Sequence, residues 1–371
     1  MILAAAKFLR LLPVRLKAIH KLASDPVLSR TYYAQEQRKS KPRILLDNLW
    51  WLLRHQEVNH CYFLYGLDRK RVDPGEYLSP KEFQKLQEQT RTTAQVDGQR
   101  MDYHCLLQDK FLFCQYVTAL GFPTPPVLAL GDGDSIWWPG VGARQPLESL
   151  LSRELDGFYK ELLGEGGRGA MSVSVAGGRL YLNDAERSLA DFRARINGHY
   201  VIQQRVKQHP RMAELHPQSV NTIRLVTVLR DGQPKPFCAI LRMGTEGRAA
   251  DNWSIGGACV PLDLEKGTPG RHGCFRPGYG TRTDRHPNTG IIFEGFRIPF
   301  YREAVAAALE VHNLFYGLHS IGWDIAITEN GPTFLEANDQ WAIDVLQCVH
   351  GGLKQRYLET LPGATRQGVG D

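Results

Sequence analysis

The first hundred residues show apolar positions at helical spacing, and they contain a clear helix start. Ser79 is followed by Pro80 at the first helical position and by Glu82 three residues on. A serine of this kind caps a helix N-terminus, the proline fits the first turn, and the acid completes the capping pattern. We therefore predict a mainly helical N-terminal region over residues 1–100.

Beyond residue 127, short segments alternate apolar and polar positions, which is the period of a strand. Further helices are predicted over 109–120 and 302–316. An Asp-Gly pair at 231–232 marks a hairpin, and the stretch 263–290, rich in Gly, Pro and Arg, predicts a long loop. The predicted strands cover 158–162, 178–182, 200–206, 222–229, 236–242, 321–328 and 333–337.

Composition adds limits on the class of protein. A chain of 371 residues, 43% hydrophobic and 23% charged, is typical of a soluble protein with two or three lobes. The net charge of +6 suits an anionic ligand, but it is too small and too dispersed to indicate nucleic acid, and we expect no nucleic-acid partner. The seven cysteines form no C-x-x-C pair, so we expect free thiols and a cytoplasmic location.

The first 23 residues predict an amphipathic helix with one cationic face, and no acid precedes Asp25. Such a helix either lies on an anionic membrane surface or docks on the protein's own core with its cations in water. Pro13 counts against both interpretations, because we expect a proline to interrupt or start the helix. The cations are Lys7, Arg10, Lys17 and Lys21, and the apolar stripe is Leu9, Leu12, Leu16 and Ile19.

A candidate metal site lies in the last predicted hairpin. Asp324 is on the polar side of the first strand, whereas Glu336 and Asn338 share a side of the second. Two carboxylates and an amide oxygen form the hard-oxygen set that Mg²⁺ accepts together with phosphate. The alternative is the solvent-facing side of an ordinary hairpin.

This metal site makes a geometric demand on the hairpin. A two-residue turn at 330–331 would set Asp324 opposite Ala337, so that Asp324 would point away from Glu336. Shared coordination therefore requires a register shifted by one residue. We predict an odd-length loop or a bulge close to Pro332, at 330–332, where the proline cannot donate a ladder hydrogen bond.

Two further elements carry chemistry that suits phosphate. Lys160 ends a predicted strand and precedes the glycine-rich loop 164–169, whose backbone N–H groups can close over phosphate oxygens. Arg224 and Arg242 lie in adjacent predicted strands, and Asn252 follows them. Arginine forks on one sheet face bind anionic oxygens. A plain glycine turn and a solvated strand face remain the alternatives.

The order of these elements resembles the ATP-grasp superfamily of carboxylate–amine ligases from about Asp109 to Asn338. Within it the chain is most similar to the sugar-transfer-associated ATP-grasp group, found near cell-surface polysaccharide genes. The resemblance implies an α+β fold in which two α+β subdomains clasp ATP behind the helical N-terminal region. The implied boundaries are 1–100 for that region, 101–206 for the small subdomain, 207–350 for the C-terminal subdomain and 351–371 for a tail. The motifs that carry the closer match are Asp109-Lys110, 219–224, Asn252-Trp-Ser and 322–338.

The resemblance also implies roles for single residues. Both lysines would reach nucleotide phosphates, the loop glycines would cover them, and the hinge 201–206 would bind adenine through its backbone. A ribose-binding acid is expected near Pro210, where the chain has none. The nucleotide set is Lys110, Lys160, Gly166, Gly167, Gly169, Gln203, Gln204 and Val206; the catalytic set is Arg224, Arg242 and Asn252; the metal set is Asp324, Glu336 and Asn338.

The implied activity is an ADP-forming ligase that makes a carbon–nitrogen bond. Its cofactors would be ATP and two Mg²⁺ ions, with Mn²⁺ as the alternative metal, and its substrates a carboxylate and an amine such as a sugar acid or glycan precursor. Two other classes stay open from the residues alone. One is a kinase that stops at a phosphorylated product, and the other is a non-catalytic ATP-binding module.

Overall fold

The computed structural model describes residues 2–94, 97–99, 103–164, 166–167, 169–247 and 251–363, with the side chains of 2–9 and 92–93 left out. Within these residues the chain forms an eight-stranded and a six-stranded antiparallel sheet behind a helical N-terminal region. This confirms the predicted α+β class. The helices are α1 (Ile2–Ser24), α2 (Lys41–His55), α3 (Pro80–Thr93), α4 (His104–Gln108), α5 (Lys110–Ala119), α6 (Leu189–Arg193), α7 (Pro210–Ala213), α8 (Tyr301–His312), α9 (Ile343–His350) and α10 (Lys354–Leu358).

The N-terminal helices match the sequence prediction in one place and correct it in another. Ser79 caps α3, because its side chain accepts a hydrogen bond of 3.1 Å from the backbone N–H of Glu82. Pro13, however, lies inside α1 and neither starts nor ends it. A proline removes a single helical hydrogen bond, and a helix of 23 residues has turns on both sides that offset this loss.

The eight-stranded sheet packs its own core from residues such as Tyr159, Phe192 and Tyr200. Strand β8 lies between β1 and β4, so the predicted adenine hinge at its end has strands on both sides. In sheet order the strands are β3 (Gln145–Pro146), β2 (Ser135–Trp137), β1 (Val127–Asp132), β8 (His199–Gln204), β4 (Leu155–Glu161), β5 (Met171–Ala176), β6 (Arg179–Leu182) and β7 (Ala185–Arg187).

The six-stranded sheet has two buried faces that serve different partners. Leu225 and Trp323 point to the face that packs against α8 and against α5, which the sequence had placed in the small subdomain. Ile240 and Val226 point to the other face, which the N-terminal region covers through side chains such as Trp51. In sheet order the strands are β12 (Cys274–Phe275), β11 (Ala258–Leu262), β10 (Gln233–Met243), β9 (Thr222–Arg230), β13 (Ser320–Thr328) and β14 (Gly331–Asn338).

The register of this sheet decides where the candidate site lies. Arg224 is directly opposite Ile240 on β10 and opposite Asp324 on β13, so all three share the face that the N-terminal region covers. The described part of the predicted tail, 351–363, joins the same cover, because Tyr357 is fully buried there. The candidate site is therefore on the covered face.

The cysteines agree with the expectation of free thiols. All seven cysteines are free, and six of them are buried, with Cys105 exposed. The closest pair we note is Cys259 and Cys274, which are cross-strand neighbours with their sulfur atoms 3.4 Å apart. Within the described residues, no helix is both long and apolar enough to cross a membrane.

Candidate active site

A cleft of about 410 Å³ lies between the two sheets, which is a typical size for a small-molecule site. Its walls come from β4 and β8 on one side and from β10, β13 and β14 on the other. Most of the predicted site residues therefore meet in one place. Those that line the cleft are Lys110, Lys160, Gly167, Gln203, Gln204, Val206, Arg242, Asn252, Asp324 and Glu336.

The hairpin of β13 and β14 has the predicted shift in register, but at a different position. Thr328 pairs with Gly331 across a two-residue turn, so the prediction of an odd-length loop or a bulge at 330–332 is wrong. The extra residue is Leu335, and beyond it Asp324 pairs with Glu336. A bulge near the site turns the following side chains to the other face of the sheet. Asp324 and Glu336 consequently point to the same side.

The two acids are electrostatically coupled. Asp324 is buried, Glu336 is half-buried, and the two residues are directly opposite each other on β13 and β14. Burial and the charge of Asp324 raise the pKa of Glu336, against the opposing cations of Lys160 and Lys110. Burial is the largest influence on the pKa of Asp324 and acts to raise it, but the cations of Arg224 and Arg242 together help to lower that pKa below its usual value. A metal cation bound beside Glu336 would relieve the remaining repulsion between the two carboxylates.

Two arginines hold Asp324 from β9 and β10. Arg224 makes a fork to it, with Nε 2.6 Å from Oδ1 and the second nitrogen 2.9 Å from Oδ2. Arg242 donates to Oδ1 of Asp324 at 2.9 Å and to Asp251 at 2.7 Å, and it also donates to the side-chain oxygen of Asn252. Burial opposes the charge of Arg242, yet these carboxylates raise its pKa further. The arginines are thus fixed before any ligand arrives.

Asp251 is a site residue that sequence reasoning missed. It lines the cleft, accepts from Arg242, and also accepts from the backbone and hydroxyl of Thr222. It lies directly before Asn252, so its position beside a predicted site residue was the available signal. Asp184 was missed as well; it lines the cleft and contacts Arg205 at 3.0 Å.

The glycine-rich loop reaches across the cleft to the other wall. Gly167 has a φ of +71°, and a Cβ atom there would lie 1.8 Å from the side-chain nitrogen of Asn252. Glycine is required on both counts. Gly166 faces Ser254 and Gly169 faces Glu161, with Cβ positions 3.7 and 3.4 Å from their oxygen atoms. The loop therefore closes on the segment that follows β10.

The lysines and the hinge occupy the eight-stranded side. Lys110, the first residue of α5, donates from Nζ to the carbonyl oxygen of Gly164 at 2.5 Å. Gln203 is buried, with its amide nitrogen 2.9 Å from the sulfur of Cys114. The N–H of Gln204 donates to the Pro126 carbonyl oxygen at 2.8 Å, so an adenine contact at this residue would use its own carbonyl oxygen, and that contact stays a prediction.

The predicted residues Arg224 and Asn338 lie on the same sheet face as the acids but outside the lining of the cleft. Asn338 pairs with Gly322, two positions from the Asp324 pair. Its side-chain nitrogen is buried and has no hydrogen-bond partner within the described part of the chain.

Residues 97–361 match the family described as sugar-transfer associated ATP-grasp. The chain belongs to this ATP-grasp family. The match confirms the resemblance found in the sequence, and with it the ATP-grasp fold preceded by a helical region. It spans both walls of the cleft and the glycine-rich loop between them.

Solved structures similar to this ATP-grasp chain share little sequence with it. N5-carboxyaminoimidazole ribonucleotide synthetase from Thermotoga maritima is 12% identical over 63% of this chain and 42% of its own, with a TM-score of 0.34. D-alanine–D-alanine ligase from Bacillus anthracis is 12% identical over 69% and 67%, with a TM-score of 0.36. The chain thus spans less than half of the Thermotoga protein. No curated protein matches it.

The donor set of this ATP-grasp cleft fits a hard divalent cation. Asp324, Glu336 and Asn338 offer carboxylate and amide oxygens from one sheet face, and the unpartnered amide of Asn338 leaves its orientation open. Among the described residues, no three His, Cys, Asp or Glu side chains cluster for a metal. A cation here would therefore also need the Asn338 oxygen, water or phosphate.

Proposed function

We propose that this protein is an ATP-dependent ligase, which activates a carboxylate as an acyl phosphate and then joins it to an amine. The observation that carries the proposal is the presence of cationic side chains on both sides of one cleft. Lys110 and Lys160 face it from one side, and Arg242 faces it from the other beside Asp324 and Glu336. Membership of the ATP-grasp family supports ATP as the phosphate donor.

The reaction needs positioning and charge neutralisation rather than a protein nucleophile. A substrate carboxylate oxygen would attack the γ-phosphorus of ATP, and the bond to ADP would break. The amine would then attack the acyl carbon, release phosphate and lose a proton to it. Lys110, Lys160 and the loop around Gly167 would hold the phosphates. Arg242, fixed by Asp251, would stabilise charge on the transferring phosphoryl group.

The metal part of the proposal rests on the acid pair. Asp324, Glu336 and Asn338 would hold Mg²⁺, or Mn²⁺ in its place, and the ion would neutralise phosphate charge. Asp324 also anchors both arginines. The same carboxylate would therefore set the distance between the metal and the guanidinium groups.

For substrates we propose a carboxylate and an amine of the glycan class, such as a sugar acid, used in cell-surface polysaccharide synthesis. The support is the family's association with sugar transfer.

A screen of carboxylate and amine pairs tests the proposal, read by ADP release and by the mass of the product. We expect ADP release that requires both substrates and a product that has lost one water relative to their sum. A stable phosphorylated product without any amine requirement would contradict the proposal and indicate a kinase. ATP binding without turnover for any pair would indicate a non-catalytic module.

A further inference from the structure

Helix α2 has one buried face and one uncovered apolar face. Ile44, Trp51 and Leu52 point into the core beneath the N-terminal region. On the opposite side, four large apolar side chains are exposed to solvent. They are Leu45, Leu46, Trp50 and Leu53, with exposed fractions of 46, 59, 47 and 70%, and we call them the α2 apolar face.

The spacing of these residues makes a continuous stripe. Positions 46, 50 and 53 are four and three residues apart, which places their side chains along one side of a helix. More than half of the exposed large apolar side chains in the described chain lie within residues 14–53, and the others are scattered. An exposed apolar patch of this kind marks an interaction surface.

The exposed charged side chains of α2 itself have a single sign. Lys41, Arg43 and Arg54 are exposed on α2. The acid of that helix, Asp47, is buried and paired with Lys39 at 2.7 Å and with Arg43 at 3.1 Å. Its negative charge is therefore neutralised inside the protein.

The neighbouring helix α1 extends the same pattern. It packs on α2; its cations Arg10, Lys17 and Lys21 are exposed, and Arg15 is half-buried. The sequence contains no acid before Asp25. The exposed charges of both helices are thus cationic, which complements an anionic surface.

We propose that the α2 apolar face docks on an anionic lipid membrane, with the surrounding cations on lipid headgroups. Trp50 and the leucines would enter the interface, and each nearby Lys or Arg would add electrostatic attraction. A second copy of the chain fits less well, because it would bring like charges together. Four side chains are also far fewer than the roughly 20–30 residues that each partner gives to a stable interface.

The face of α2 suits membrane contact better than α1 does. Ile19 and Leu22 of α1 are buried, so the second half of that helix is docked on the protein. Deleting residues 1–23 would remove these core contacts and confuse misfolding with lost binding. Substitutions on the exposed face of α2 avoid this problem.

The test is flotation of the full chain with vesicles. Wild type should bind mixed phosphatidylcholine–phosphatidylglycerol vesicles and should not bind vesicles of pure phosphatidylcholine. The double variant Trp50→Ser/Leu53→Ser should bind the mixed vesicles at least about tenfold more weakly than wild type, because two apolar groups at the interface are lost. Ile292→Ser, an exposed apolar residue outside both helices, should bind like wild type. Melting temperature and ATP binding should stay unchanged in all three proteins.

A charge variant separates electrostatic from apolar docking. Lys41→Glu/Arg54→Glu should lose vesicle binding and its salt dependence, whereas Lys235→Glu, exposed on β10, should keep both. Wild type that ignores anionic vesicles, or a Trp50→Ser/Leu53→Ser variant that binds them equally well, would overturn the proposal. A wild-type dimer that this variant converts to monomer, without vesicle binding, would assign the face to a second copy instead.

Discussion

The two walls of the cleft hold their charges in different ways. On the six-stranded sheet, Asp324 is buried and fixed by Arg224 and Arg242. On the opposite wall, Lys160 reaches the cleft from a strand, and Lys110 is bonded to a loop carbonyl. One wall is a buried network of opposite charges, whereas the other presents Lys110 and Lys160 beside the more exposed ion pair of Arg205 and Asp184.

The difference predicts different consequences of mutation. Breaking a buried charge network leaves the remaining members uncompensated, so both stability and activity suffer. Removing a lysine that serves the ligand leaves the folded protein intact and weakens binding alone.

Asp324→Asn should have the largest effect. Arg224 would lose its carboxylate partner and Arg242 would keep only the carboxylate of Asp251, so we expect a loss of about 3–5 kcal/mol in the free energy of unfolding, measured with urea. The control is Asp184→Asn in the same cleft, whose side chain is 75% exposed. That variant should stay within about 0.5 kcal/mol of wild type. Equal stability of both variants would break the comparison.

Arg242→Ala should lower turnover by about 10²–10³-fold, the usual cost of removing a fixed donor to developing charge. ATP affinity, measured by calorimetry, should fall much less. The matched control is Arg230→Ala, an exposed arginine at the end of β9 outside the cleft lining, which should keep both quantities. An equal loss in affinity and turnover would mean that Arg242 contacts the nucleotide in its ground state.

Lys160→Met should weaken ATP binding by about 1.5–3 kcal/mol, which is typical of a hydrogen bond to a charged group. The melting temperature should not change, because this lysine lies on the wall opposite the buried network around Asp324. Lys235→Met on the exposed part of β10 should leave both quantities unchanged. Unaltered ATP affinity in Lys160→Met would remove this lysine from the site.

Gly167→Ala should have the smallest effect, a several-fold weaker binding of ATP. Gly177→Ala is matched in backbone strain, because its φ is also positive at +56°, yet nothing lies within 4 Å of its Cβ position. Both variants carry a strain of about 1 kcal/mol. Only the alanine side chain of Gly167→Ala would also clash with the side chain of Asn252. Equal ATP affinity of the two variants would show that closure of the loop on Asn252 has no role.

Local patterns predicted much of this structure. The Ser79 cap, the Asp-Gly hairpin between β9 and β10, and the placement of Lys160 near the end of β4 all follow from nearest neighbours in the chain. The need for a register shift between Asp324 and Glu336 also followed, because the two-residue period of a strand is strict.

Tertiary contacts decided the rest. The position of the bulge at Leu335 depends on how β14 meets β13 over its full length, and the turn residues do not record it. The role of Asp251 appears only when the loop after β10 returns to Arg242. The cover of the active-site face by Trp51 joins segments almost 200 residues apart, beyond the reach of any local pattern.

We expect the acid pair of Asp324 and Glu336 to bind a metal–nucleotide complex. The decisive variant is Glu336→Gln, whose affinity for a non-hydrolysable ATP analogue is measured with and without Mn²⁺. Glutamine removes the charge that burial and Asp324 disfavour, so the variant should be at least as stable as wild type. We predict that Mn²⁺ strengthens analogue binding in wild type and that this gain disappears in Glu336→Gln. An undiminished gain in the variant would contradict the account.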